Sequence, residues 1–250
     1  MIDYQQLYII ILYFLFIFLY IWGVSQSNKR YETWPNSRIL FWVLGIACLY
    51  VSLFGPLAEK AHVDFTAHML GHLLLGMLGP LLLVLAAPMT LMMRLLPVST
   101  ARKMSLLLRS KPISTLSHPV VAALLNMGGL WLLYTTHLYS LMHHHTILYL
   151  LVHLHVFLAG YLFTAVIICI DPTPHRYSFV YRAIVLVISL ASHGILSKYI
   201  YAHPPTGVPL KQAELGGMLM YYGGDLVDLI LIYLLCLQWY RSTAPRMITH

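Results

Sequence analysis

Residues 67–88 read AHMLGHLLLGMLGPLLLVLAAP, with no Asp, Glu, Lys or Arg among them. At 1.5 Å of rise per residue, a helix of this length covers about 33 Å, enough to cross a hydrocarbon core of about 30 Å. His68 and His72 stand four residues apart, so both imidazoles project from one face at one end of that helix. Continuing the stripe brings Gly76 and Gly79, small residues that let a neighbouring helix approach closely. The histidine face is therefore expected to look into a helix bundle. The competing reading is a pair of interfacial histidines bonded to water or lipid headgroups.

Runs of the same kind lie on both sides of this one, at about 7–24, 38–55, 119–138, 146–170, 181–201 and 215–239. All are of helix length, and none shows the two-residue alternation of a membrane barrel strand. Of 250 residues 60% are apolar and only 9% are charged, against about a quarter charged in a soluble domain. The expected fold is an all-α polytopic membrane protein, a seven-transmembrane-helix bundle forming a single domain over 1–250.

The basic residues set the expected orientation. Lys29, Arg30 and Arg38 follow the first run, and Arg94, Arg102, Lys103, Arg109 and Lys111 follow the third. Arg176 and Arg182 follow the fifth, and Arg241 and Arg246 the seventh; only Lys60, Lys198 and Lys211 fall on the other side. The positive-inside rule then places the N-terminus outside and the C-terminus in the cytoplasm. The net charge of +7 is thus a topology signal, and a nucleic-acid partner is not expected. The run Leu7–Val24 is read as a retained helix and not a signal peptide. Asp3 is the only charge before Lys29, and no small-residue cleavage pattern follows the run.

The stretch Leu95–His118 carries Pro97, Pro112 and a basic segment, and is expected to lie as a short amphipathic helix on the cytoplasmic surface, drawn to anionic lipid. Cys48, Cys169 and Cys236 are widely separated within apolar runs, so they read as buried structural cysteines and not as a paired-thiolate site.

Polar residues inside the spans carry the functional signal, because an ionisable side chain in lipid needs a partner or a task. Helix five holds His153 and His155, about 200° apart on a helix, so one of the two faces inward. Helix six carries Ser189, His193 and Ser197 as one stripe. Helix seven carries Tyr221, Asp225 and Asp228; Asp225 is the preferred functional carboxylate, as a ligand, a partner for a histidine or a proton acceptor, with Tyr221, Asp228 and Ser189 as supporting hydrogen-bond partners. Around the mouth stand His62, Asp64, His137, His143, His144, His145 and His203, with Met69, Met142, Met218 and Met220 near the same face. Imidazole suits copper, zinc, iron and nickel, and thioether suits Cu(I). Eleven of the fourteen histidines fall on this one side; His118, His175 and His250 do not.

Four segments in order resemble the multi-span CtaG family of cytochrome c oxidase assembly factors. They are His68–Pro88, His155–Phe163 (HVFLAGYLF), Asp171–Arg176 (DPTPHR) and Gly216–Asp225 (GGMLMYYGGD). The resemblance covers roughly residues 60–240. It implies a multi-pass protein of the bacterial plasma membrane that acts on haem–copper oxidase subunits, is not an enzyme, and handles copper. Carried over by position, it implies metal ligation by His68, His72, His155, His193 and Asp225. His153, Met69, Met218, His62, Asp64, His143, His144 and His145 then form a secondary or mouth set. The DPTP segment reads as a helix stop, since each proline disfavours continued helix. Two other classes remain open beside copper. One is a b-type haem protein with axial histidines; the other is an intramembrane hydrolase using zinc. A homo-oligomer also stays open.

Overall fold

A computed structural model describes residues 4–173 and 175–243. Asp3, Pro174, Arg246 and His250, used above, lie outside the described residues. The chain is all helix, with no strand among the described residues. In chain order the helices are α1 (Tyr4–Asn28), α2 (Asn36–Leu53), α3 (Pro56–Ala61), α4 (Phe65–Leu73), α5 (Gly79–Leu85), α6 (Pro88–Leu95), α7 (Val98–Leu108) and α8 (Lys111–Leu116). They continue with α9 (Pro119–Ala123), α10 (Gly129–Thr135), α11 (Leu138–His144), α12 (Thr146–Ile168), α13 (Phe179–Ala202) and α14 (Leu210–Thr243). Single π-turns, Leu74–Leu78 and Leu124–Gly128, join α4 to α5 and α9 to α10.

Six helices are long and apolar enough to span a bilayer, and a seventh crossing exists if the bent pair Pro119–Thr135 and Leu138–His144 counts as one. The protein is therefore a multi-pass membrane protein. The expected straight helix over 119–138 is replaced by two pieces bent by 79°. The hydroxyls of Thr135 and Thr136 bond back to Trp131 O (2.7 Å) and Leu132 O (2.6 Å), and Thr136 turns extended, so the helix ends there.

Both π-turns have a local cause or consequence. Pro80 has no amide to give the Gly76 carbonyl, and the Gly79 amide reaches back to Leu74 O instead. The freed Gly76 carbonyl sits so close to α12 that a Cβ at Gly160 would collide with it. In the second π-turn, the Leu125 carbonyl is taken up by the His155 ring (3.1 Å).

Of three apolar clusters in the bundle, two are large. One joins Leu81, Val84, Phe163, Ile167, Leu186 and Leu231. The other joins Phe65, Met69, Tyr134, Met142, Leu196 and Met220. Cys48 and Cys169 are half-buried, but Cys236 is exposed on the outside of α14, contrary to its expected burial.

Hydrogen bonds tie the basic segments to one end. Asp171 accepts from the Met89 amide (3.2 Å), the Thr90 amide (2.8 Å) and the Thr90 hydroxyl (2.6 Å), so its carboxylate also caps α6. Tyr20 donates to Ala86 O (2.6 Å) and accepts from Trp34 Nε1 (3.1 Å). Arg94 lies over Trp34, and buried Arg182 donates to Ile167 O while covering Phe179. The 95–118 stretch forms two helices, α7 and α8, neither of which buries a residue.

Candidate functional site

The opposite end of the bundle gathers the histidines. Asp64 caps α4, accepting from the Thr66 amide (2.8 Å) and the Ala67 amide (3.4 Å), and the Phe65 amide donates to Gln212 (3.0 Å) at the start of α14. Partial burial pulls the Asp64 carboxyl up, but those amides and Lys60 outweigh it and hold it below its ordinary range. This anchoring fixes the rotation of α4, so His68 and His72 both point inward; each is only 6% exposed.

His68 is the hub. Its Nε2 lies 3.1 Å from the Tyr134 hydroxyl, and its ring centre is 6.3 Å from that of His143 and 6.2 Å from that of His153. Tyr139 packs against both His68 and His143. His62 extends the series, 6.0 Å from His143, toward an open recess shared with Gln212 and Thr206. Deeper in the bundle, His72 lies 6.4 Å from His193 of α13. The result is a file of imidazoles, His62, His143, His68 with His153, His72 and His193, leading from one end into the interior.

The hydrogen bonds decide what these rings can do. His153 donates Nδ1–H to Tyr149 O (2.8 Å), which leaves Nε2 as the lone-pair nitrogen. A second nitrogen held by a carbonyl is the usual support for a metal-ligating histidine. His72, His143 and His193 each bury an Nε2 with no hydrogen-bond partner. Such groups cost on the order of 1–3 kcal/mol each when left unpaired. Small cavities adjoin two of the three, about 10 Å³ beside His68, His72 and His153 and about 20 Å³ beside His193 and Asp228, whereas His143 borders the open recess with His62. Each small cavity has room for about one water. Among the described residues, no three His, Cys, Asp or Glu side chains already converge as a metal cage.

The structure brings His68, His72 and His193 together and joins His153, His143 and His62 to them. It leaves His155 and Asp225 apart. The His155 ring turns to the second π-turn, bonding Leu125 O and filling the space that Gly129 leaves open. Asp225 points out of the bundle, whereas Asp228, one turn further along α14, is 5% exposed and faces the interior with Ser189. Met69 lies in the apolar cluster, and Met218 lines a separate recess with Lys198 and Tyr221. His144 and His145 are exposed. Gly224 makes the seat for His193, since a Cβ there would strike the ring. Sequence reasoning missed Tyr134 and Tyr139, which carry no pattern of their own; Tyr134 meets His68 from the last turn of α10, and the bend after α10 brings Tyr139 of α11 beside it.

A family model described as cytochrome c oxidase caa3 assembly factor (CtaG) matches residues 18–242. Uncharacterized proteins of Mycobacterium tuberculosis and Mycobacterium bovis are each 28% identical over 241 residues, covering 88% of this chain and 36% of the relative. One of Mycobacterium leprae is 27% identical over 244 residues, covering 89% of the chain and 37% of the relative. The chain thus spans little more than a third of the length of these relatives. No solved structure matches it.

Proposed function

The chain belongs to the cytochrome c oxidase caa3 assembly factor family, and from that premise we propose that it carries copper as cargo through the histidine file to the maturing oxidase. The observation that carries this reading is the set of buried, unpartnered imidazole nitrogens on His72, His143 and His193, beside His153 with its tautomer fixed. Neutral imidazole is a good copper ligand, and buried unpaired nitrogens are costly unless something fills them. Pairs and neighbours at 6.0–6.4 Å, without a closed cage, suit a cargo held in passing better than a permanent cofactor. The 10 and 20 Å³ spaces beside the deep rings are far too small for a porphyrin, which counts against axial haem ligation there.

The copper centres of a haem–copper oxidase mature toward the outer face of a bacterial plasma membrane, so the His62 end is assigned to that face. The charge pattern supports this, since the basic segments gather at the other end. The protein's own contribution is to bind, shield and release the ion, with no bond made or broken in a substrate.

A strain lacking this chain, complemented with His72→Ala/His193→Ala, tests the proposal. The expected result is oxidase with a reduced copper-to-haem ratio and wild-type levels of the assembly factor itself. Oxidase with full copper content in that strain overturns it.

A further inference from the structure

Beyond the His72–His193 pair, away from the His62 end, the 20 Å³ cavity lies between the two π-turns and has a different lining from the histidine file. Met77 comes from the first π-turn and Met127 from the second; His193 stands on one wall, and Asp228 closes the space from α14. Asn126 and Thr164 supply further oxygen atoms. π-Turns interrupt regular backbone pairing and recur at functional sites, and here two of them border one cavity.

Asp228 is the anomaly. It is 5% exposed in the middle of a membrane helix, and no Lys or Arg lines the cavity. The only salt bridge among the described residues is Lys60–Asp64, so Asp228 has no ionic partner. Ser189 directs its hydroxyl to Val185 O (2.9 Å) and not to the carboxylate. An unpaired carboxylate in such a place is costly, which makes it a functional group by default. His193 adds a buried Nε2 with no partner.

We infer that this cavity is a second copper station, in which Met77, Met127, His193 and Asp228 bind Cu(I). Two thioethers and an imidazole select a soft ion, and thioether favours the monovalent state of copper. One carboxylate balances one positive charge, so the loaded cavity is neutral in lipid. His193 belongs to both groups, paired with His72 on one side and lining this cavity on the other, so it is the hand-over residue. The inference rests on the copper reading above and adds to it the oxidation state, a depth and three ligands outside the histidine file.

The test uses the full chain, purified without a His-tag and loaded anaerobically with Cu(I) as its acetonitrile complex. X-ray absorption at the copper edge is expected to show sulfur as well as nitrogen neighbours. In Met77→Leu/Met127→Leu, a change that conserves volume, the sulfur signal disappears and one equivalent of copper is lost. Copper bound through nitrogen alone in the wild type overturns the station and leaves the histidine proposal standing. So does a sulfur signal unchanged in the double variant. Absence of any bound copper overturns both. Should the double variant misfold, selenomethionine-labelled wild type decides, because no copper–selenium neighbour then contradicts the inference.

Discussion

At the basic end, Asp171 accepts three hydrogen bonds from Met89 and Thr90, and Tyr20 bridges Trp34 to the Ala86 carbonyl. In the histidine chamber, by contrast, His72, His143 and His193 each bury a nitrogen that meets nothing. Both regions place polar groups inside an apolar bundle. The first uses them to lock segments distant in sequence, 82 residues apart for Asp171 and Met89. The second holds them in reserve beside small cavities. A satisfied network belongs to the fold, and an unsatisfied one points to a ligand. The basic end is not fully satisfied either, since Arg182, Ser27, His118 and Gln238 also bury side-chain atoms without a partner. What sets the histidine chamber apart is that its unpaired atoms are imidazole nitrogens gathered in one file, whereas the Arg182 guanidinium lies over Phe179 with one donor on Ile167 O and Gln238 donates to Ile168 O.

Five substitutions break or sharpen this contrast. Asp171→Ala strips the cap of α6 and is expected to destabilise the protein by about 3 kcal/mol, since hydrogen bonds to a charged group are the strong ones. Thermal unfolding in detergent should show the loss, with copper stoichiometry unchanged in the folded fraction. Gly160→Ala drives a methyl into the Gly76 carbonyl and should cost about 2 kcal/mol by the same measurement. A smaller effect there would mean that the first π-turn can shift to make room.

His155→Ala should cost about 1 kcal/mol through the lost hydrogen bond to the Leu125 carbonyl, which keeps the Gly129 amide as a second partner, and should leave copper affinity intact. His153→Ala should do the reverse, lowering affinity with little loss of stability. Equal copper loss in the two variants would contradict the placement of His153.

The smallest effect is expected at the mouth. Asp64→Ala removes the cap of α4 and should cost about 1 kcal/mol. The folded-state pKa of Asp64 is held below its ordinary value, so its contribution is present in full above the ordinary carboxylate range. It is lost as pH falls through the lower folded value. The wild-type advantage over Asp64→Ala in unfolding temperature should therefore shrink on acidification below about pH 4. An advantage that is constant down to pH 2 would show that the cap does not depend on charge.

Much of this was legible in the sequence. Hydropathy alone located the spans, and the start of α4 differs from expectation by only two residues, because burial in lipid requires long unbroken apolar runs. The inward face of His68 and His72 also followed from their four-residue spacing. Which of His153 and His155 looks inward did not follow, because it depends on the rotation of α12. The close approach of Gly160 to Gly76 and the docking of His155 on the second π-turn set that rotation. That Asp228 is buried and Asp225 exposed was not legible for a related reason: 60° of helix separates them, and only packing shows where the edge of the buried face falls. Asp171 read as a helix stop, and its capping of α6 required the third dimension. Met77 and Met127 were not among the methionines that the sequence singled out, because only the two π-turns bring them to one cavity.

Copper titration of the untagged full chain, wild type against His72→Ala/His193→Ala, tests the central claim most directly. The account predicts an affinity loss of at least about 100-fold in the variant, roughly 2.7 kcal/mol, with the helical content and unfolding temperature of the wild type retained or raised. Undiminished copper binding in a folded double variant would contradict it, and the unpaired nitrogens would then have no ligand to explain them.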